Sequence, residues 1–152
     1  MAEDNYEEIL SRGWDEIPEV RPLPTGSYLL KGRGAKYHPA KGDGNPSILF
    51  VYTPMEPMDD VDDAELKALG ANYDIKGNRI FYRAWLETGA DWDTVRKHLA
   101  KHGIETKGKN ISDSLGAFKG TEVVAHLGVR NYTNGAGDLV TENQPNAFHK
   151  AD

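Results

Sequence analysis

Hydrophobic and polar residues alternate along several segments of the chain, which is the pattern of half-buried β-strands. Glycine- and proline-rich stretches separate these segments and predict loops, the most obvious lying at residues 36–47. A turn signal over residues 134–137 predicts a hairpin between the last two strands. The predicted strands are residues 25–33, 47–53, 79–87, 120–132 and the shorter 138–142.

One amphipathic helix is predicted over residues 91–102. Its apolar residues Trp92, Val95 and Leu99 recur at the spacing of one helical face, and Gly103 ends the pattern. The acidic stretch before the third strand holds at most one or two helical turns. The resulting order is β, β, β, α, β, β. This order predicts a mainly β fold, a five-stranded Greek-key barrel of the OB type with one helix between strands three and four.

The length of 152 residues predicts one domain. We expect a flexible acidic arm over residues 1–13, the domain over 14–148 and a tail over 149–152. The absence of cysteine excludes disulfides, thiolate zinc sites and cysteine nucleophiles. No stretch approaches the length of apolar sequence that a membrane helix needs, and the acidic N-terminus does not have the pattern of a secretory signal.

The net charge of −6 is distributed unevenly along the chain. Residues 1–24 carry −5 and residues 55–65 carry −6, which leaves +5 for the rest of the sequence. Phosphate contacts need lysine and arginine side chains. A nucleic-acid partner is therefore compatible with the acidic total, because the body of the domain is mildly basic.

The third predicted strand carries the strongest functional signal. Side chains alternate between the two faces of a strand, so its even-numbered and odd-numbered positions form separate rows. Aromatic side chains stack on the bases of single-stranded nucleic acid, for about 1–3 kcal/mol per base, and cations follow the phosphates. In the odd-numbered row, basic and aromatic residues alternate: Arg79, Phe81, Arg83 and Trp85.

The alternative is that Phe81 and Trp85 point into the barrel, with the two arginines at its rim. However, Ile80, Ala84 and Leu86 already supply an apolar inner row. Burying two guanidinium groups inside a small barrel would also be costly, whereas they are easily solvated outside. We therefore expect the odd-numbered row to face outward and to bind single-stranded nucleic acid.

Basic and aromatic residues on other elements extend this predicted surface. Those at the tip between strands one and two either close over the third strand or form an ordinary solvated loop. On strand two, alternation alone does not decide which face is outward, so the tyrosine there is a weaker candidate. The outward residues of strand four either extend the groove or simply face water. These additional candidates are Lys31, Arg33, Lys36, Tyr37, Tyr52, Arg130 and Tyr132.

No motif for catalysis or cofactor binding is present, since a phosphate-binding loop, a GxSxG elbow and an HExxH pair are all missing. We therefore predict no catalytic residue and no cofactor. The acidic residues 59–65 lack the spacing of a calcium loop. His98 and His102 lie four residues apart on the predicted helix but have no third zinc ligand at a usable spacing. They are predicted to be surface residues near the helix C-terminus, and no metal site is predicted.

Several short motifs follow one another in a recognisable layout between Trp14 and Phe148. They are Trp14-Asp-Glu-Ile-Pro, Pro24-Thr-Gly-Ser-Tyr28, the helix, and Leu115-Gly-Ala-Phe-Lys-Gly120 ahead of a strand that ends in Asn131-Tyr132. In this layout the chain resembles small phage proteins of the single-stranded-DNA-binding type. The resemblance implies an OB-like domain that coats single-stranded DNA during phage replication or recombination, in the cytoplasm of the infected bacterium. Replication proteins of the phage or host are further expected partners, and homo-oligomerisation stays open.

The alternative function is that of a phage structural or adaptor protein, which would use the same β-domain for protein contacts. Many single-strand-binding proteins end in an acidic tail that recruits partners, but residues 146–152 are not acidic in character. Acidic residues are concentrated instead in segments 1–24 and 55–65. Our hypothesis is that one of these segments occupies the predicted basic, DNA-binding surface when DNA is absent, or docks a replication protein.

Overall fold

Five antiparallel strands form the main element of the computed structural model, which describes residue 11 and residues 20–42 and 44–151. The strands are β1 (Gly26–His38), β2 (Ser47–Pro57), β3 (Ile80–Trp85), β4 (Glu122–Thr133) and β5 (Leu139–Lys150). The helices are α1 (Asp63–Ala68), α2 (Gly89–Lys101) and α3 (Ile111–Gly116), and a 3-10 turn covers Ile75–Gly77. Across these described residues, no helix is long and apolar enough to span a membrane.

The strands are arranged in the order β3-β2-β1-β4-β5. Strands β1 to β3 follow one another as antiparallel neighbours, and the chain then returns through α2 and α3 to place β4 beside β1. Three consecutive strands and a fourth that lies beside the first form a Greek key. The predicted mainly β fold is confirmed at this level. The helical turns predicted in the acidic stretch before the third strand are confirmed as α1, whereas the prediction of one helix between strands three and four was incomplete, because α3 follows α2.

Strand β1 pairs with β2 along one edge and with β4 along the other, and its register with β2 shifts twice. The shifts fall between Leu29 and Leu30 and between Gly32 and Gly34. At Gly32 the chain passes so close to the segment before β4 that a Cβ atom would lie 2.6 Å from the carbonyl oxygen of Phe118. The Gly32 N–H donates to the carbonyl oxygen of Thr121 at 2.7 Å. Glycine is required here by the close approach of two backbones.

The core lies between the inner face of the sheet and the helices α2 and α3. On β3 and at the residue that follows it, the core takes the even-numbered row, with Ile80, Ala84 and Leu86 buried. Aromatic rings fill its centre, and the ring centroids of Tyr82 on β3 and Phe148 on β5 are 5.2 Å apart. The two edge strands of the sheet therefore approach each other through their side chains, so the sheet is strongly curled.

Strand β5 differs most from its predicted length. It runs from Leu139 to Lys150 rather than over residues 138–142, because it pairs with β4 over nearly its whole length. Pro145 is tolerated within it because β5 is an edge strand in the hydrogen-bonded order. As a result, residues 149 and 150 of the predicted tail belong to the strand. The predicted arm lies outside the described residues except for Ser11.

Candidate nucleic-acid interface

The odd-numbered row of β3 faces solvent. Phe81 is 50% exposed and Trp85 is 54% exposed, and the side chains of Arg79 and Arg83 are exposed as well. This is the orientation expected from the cost of burying the two arginines. We refer to Arg79, which directly precedes β3, together with Phe81, Arg83 and Trp85 of β3 as the outer row.

Neighbouring strands provide a partly exposed floor beside the outer row. On β2, Val51 lies directly opposite Phe81 and Leu49 lies opposite Arg83. Residues that are directly opposite in an antiparallel pair share a face of the sheet. On β1, Lys36 lies opposite Leu49 and therefore continues the same face toward the tip of the first hairpin. The face thus combines two exposed aromatic rings, aliphatic side chains and several cations.

Arg83 is held in place by one hydrogen bond and one ring contact. Its Nη1 atom donates to the hydroxyl oxygen of Ser47 at 2.6 Å. Its Cζ atom lies 5.4 Å from the ring centroid of Trp85, which is within the range of a cation–π interaction. The guanidinium group is therefore fixed next to the exposed indole.

A groove of about 830 Å³ lies beside this face and is lined by four cations. Lys31 and Arg33 come from β1, Lys76 from the turn before β3, and Lys119 from the segment before β4. We call the groove that these four residues line the basic groove. Neutral residues complete its lining, and Arg79 links it to the outer row by donating to the carbonyl oxygen of Lys76 at 3.2 Å. The basic groove therefore adjoins the outer row.

The cations of the outer row and the basic groove have no carboxylate partners in the part of the chain that the structure describes. The arginines donate instead to neutral acceptors: Arg33 to the Thr53 hydroxyl, Arg79 to backbone carbonyls and Arg83 to the Ser47 hydroxyl. A neutral acceptor orients a guanidinium group without cancelling its charge. The ion pairs in the described residues use other cations, namely Lys67, Arg96, Lys97 and Arg130.

The remaining predicted site residues lie apart from the outer row. Tyr37 is 44% exposed, but its ring stacks on Trp92 of α2 with centroids 6.4 Å apart. Arg130 and Tyr132 lie on the hairpin of β4 and β5, where the Arg130 Cζ atom is 4.6 Å from the Tyr132 ring centroid. Arg130 also pairs with Glu142 at 3.7 Å, so part of its charge is already compensated. The structure does not bring these three residues to the outer row.

Tyr52 is not a surface residue, and its prediction as a nucleic-acid contact was wrong. It is fully buried, because the face of β2 that carries Ile48, Phe50 and Tyr52 is the inner one. Its hydroxyl oxygen lies 2.8 Å from Nε2 of His98 and 3.0 Å from Nε2 of His102. The prediction that these two histidines lie on the surface was also wrong, since they are only 5% and 6% exposed.

These three buried side chains form a connected series of hydrogen bonds. Nδ1 of His102 lies 2.7 Å from the carbonyl oxygen of His98, which can only accept, so this nitrogen carries the hydrogen. Nε2 of neutral His102 then accepts from the Tyr52 hydroxyl, whose oxygen accepts from Nε2–H of His98. Burial lowers the pKa of His98 to about 3, and burial also lowers the pKa of His102. These three hydrogen bonds form while both histidines are neutral.

The acidic segment 55–65 does not occupy the basic groove, of whose lining only Met55 belongs to this segment. Asp60 accepts from the backbone N–H and the hydroxyl of Ser27, and these hydrogen bonds lower the pKa of its carboxyl. Asp62 accepts from the first backbone N–H groups of α1. The hypothesis that an acidic segment covers the groove therefore loses support for segment 55–65. The other acidic segment, residues 1–24, lies mostly outside the described residues.

Three residues of the interface were not identified from the sequence as site residues: Lys76, Lys119 and Ser47. The two lysines are separated by more than forty positions and meet only because β1 is flanked by β2 on one side and β4 on the other. Each precedes a glycine just before a strand, which is the one local signal that could have marked them. Ser47 carried no signal in the sequence, because its role depends on the hydrogen bond that it accepts from Arg83 on the neighbouring strand.

A second cleft, of about 680 Å³, lies between α2 and α3. Its lining includes Trp92, Leu99, Ile111 and Leu115, with Lys107 and Lys109 from the intervening loop. Ile111 is 54% exposed. Asp93 and Arg96 also line this cleft, and no residue of the outer row does.

Among the described residues, no group of three or more histidine, aspartate or glutamate side chains is arranged to hold a metal ion. Comparison of the sequence with protein-family models and with curated proteins gives no match. The functional argument therefore rests on the fold and on the chemistry of the interface.

Proposed function

We propose that this protein is a non-catalytic, sequence-tolerant single-stranded-DNA-binding protein. The observation that carries the proposal is the exposed outer row of β3, whose two aromatic rings adjoin cations that have no carboxylate partner among the described residues. Stacking on exposed rings tolerates any sequence, because every base has a π-face. The cations next to these rings provide the contacts that phosphates need.

The fold supports the proposal, and we assign it to the OB type. The Greek-key order, the return of β4 to the side of β1 and the helix between β3 and β4 all agree with that architecture. The contact between Tyr82 and Phe148 brings the edge strands toward closure of a barrel. In OB folds the second and third strands with their flanking loops bind oligonucleotides, and the outer row lies on the third strand.

Binding would divide the strand of DNA between two surfaces. Bases stack on Phe81 and Trp85, and Arg83 between them contacts a phosphate or a base edge. The basic groove then takes the phosphates that follow, since Arg79 connects it to the outer row. Phe81 and Trp85 are four residues apart on one strand, about 13 Å. Because stacked bases in a duplex are about 3.4 Å apart, neighbouring bases must separate to use both rings.

The biological setting of the proposal rests on the resemblance to phage single-strand-binding proteins. On that basis we propose that the protein acts in the cytoplasm of an infected bacterium, where it coats single-stranded DNA during replication or recombination. Partners would be other replication proteins of the phage or host.

The basic groove can be tested through the salt dependence of binding. In the double variant Lys76→Gln/Lys119→Gln, we expect the slope of log K against log salt to fall by about 0.7 for each phosphate that is no longer neutralised. The matched control is Lys67→Gln/Lys97→Gln, because these lysines pair with Asp63 and Asp93 away from the groove. Equal slopes for the two double variants would remove the groove from the proposal.

The alternative function, a structural or adaptor protein, is favoured by one observation, the exposed Ile111 side chain in the cleft between α2 and α3. The adaptor function predicts that Ile111→Asp abolishes association with a protein partner. It also predicts that neither the wild-type protein nor any variant binds DNA. Binding of oligonucleotides by the wild-type protein would favour the DNA-binding proposal instead.

A further inference from the structure

We propose that Ser47 is a positioning residue of the nucleic-acid site, which holds the Arg83 guanidinium beside Trp85 so that the stacking ring and the cation are presented as one unit. This inference rests on the proposed function and adds a residue from outside the outer row. Ser47 is only 1% exposed, so it contributes through Arg83 and not by direct contact with DNA.

The position of the Ser47 hydroxyl is determined by backbone pairing. Ser47 is the first residue of β2 and lies between His38 on β1 and Trp85 on β3. The adjacent backbone is tied to the far end of β3, where the Leu86 N–H donates to the carbonyl oxygen of Pro46 at 2.9 Å. A hydroxyl held in this way gives Arg83 a fixed anchor rather than a mobile surface partner.

An anchored arginine is expected to bind better than a free one. An exposed arginine side chain samples many rotamers, and ordering it during association reduces affinity. The hydrogen bond to Ser47 orders Arg83 before DNA arrives, and it does so without neutralising the guanidinium. The nearest carboxylate along the strand, that of Glu87, accepts instead from the side-chain amide of Asn45 at 3.1 Å.

The test is Ser47→Ala, which removes the hydroxyl and leaves the volume nearly unchanged. We expect oligo(dT) binding to weaken about three- to tenfold, the effect of one side chain that must be ordered on binding. In the free protein, acrylamide should quench Trp85 more strongly, because the guanidinium no longer stays beside the ring. The Trp85 signal is obtained as the difference from the Trp85→Phe variant.

Two further variants separate positioning from a structural role. In an Arg83→Gln background, Ser47→Ala should cause no additional loss of affinity, because Ser47 acts only through Arg83. Arg83→Lys keeps the charge on an exposed side chain and loses the planar group that Ser47 and Trp85 hold, so it should weaken binding without touching the core. Thr53→Val is the matched control, since it removes the hydroxyl that accepts from Arg33 and should leave the Trp85 quenching unchanged.

The outcomes distinguish this inference from the proposed function. If the wild-type protein does not bind oligo(dT), the proposed function fails, while acrylamide quenching of the free protein still reports on Arg83. If the wild-type protein binds and Ser47→Ala changes neither affinity nor quenching, the positioning role is overturned. An equal loss of affinity in the wild-type and Arg83→Gln backgrounds would also overturn it.

Discussion

Replacing Phe81 and Trp85 by alanine is expected to abolish most of the single-stranded-DNA binding. Each ring is about half exposed and stacks on a base in the proposed complex. Alanine substitution of such a ring costs about 1–3 kcal/mol per base. The double variant should therefore lose about 2–6 kcal/mol, which we expect to appear as a large increase in Kd in fluorescence-anisotropy titrations with labelled oligo(dT).

The fold should tolerate this change, because substitutions of exposed residues away from special backbone features usually alter stability little. Leu139→Ala is the matched control. Leu139 is a large apolar side chain, 74% exposed, at the start of β5 and away from the outer row. Leu139→Ala should leave the affinity unchanged. If the Phe81→Ala/Trp85→Ala variant keeps full affinity, DNA binds elsewhere.

The buried histidine pair is expected to make the stability of the protein depend strongly on pH. His98 has a pKa of about 3 in the folded protein, and that of His102 is also lowered, against an ordinary value near 6.5. Below pH 6.5 the unfolded chain therefore binds more protons than the folded one. Stability is full above about pH 6.5 and falls as the pH falls toward 3, by up to about 1.4 kcal/mol per pH unit for His98, and the lowered pKa of His102 adds to the fall in the same direction.

Urea unfolding between pH 7.5 and 4.5 measures this dependence. His98→Gln keeps an amide that can donate to the Tyr52 oxygen but cannot titrate, so its stability should vary less steeply with pH than that of the wild-type protein. Lowered pKa values of Asp60 and Asp93 act in the same direction but at lower pH, near the ordinary range of carboxyl groups. Identical pH slopes for the wild-type protein and His98→Gln would contradict the assignment.

Alternation and helical spacing in the sequence were sufficient to predict the strands, the main helix and the outer row. The outer row could be predicted because its evidence is local: four side chains at every second position, with an apolar row between them. The outward orientation of the outer row was predicted from the free-energy cost of burying Arg79 and Arg83. Helix α2 likewise ends before Gly103, which adopts a positive φ of 79°.

Features that depend on distant parts of the chain could not be predicted in this way. Tyr52 and His98 are 46 residues apart in the sequence. Both were predicted to lie on the surface, because the sequence does not show that their polar atoms form a hydrogen bond with each other. The true length of β5 depends on its pairing with β4 rather than on its own composition. Lys76 and Lys119 meet only through the arrangement of three strands, and Ser47 becomes important only through Arg83.

A titration of the wild-type protein with oligo(dT), followed by tryptophan fluorescence, tests the central claim most directly. At low salt, about 50 mM, we expect saturable quenching that is lost in Trp85→Phe, that weakens steeply toward about 200 mM salt and that excess duplex of the same length does not reverse. No saturable binding at low salt would contradict the claim. Binding with unchanged quenching in Trp85→Phe would show that DNA does not use the outer row of β3.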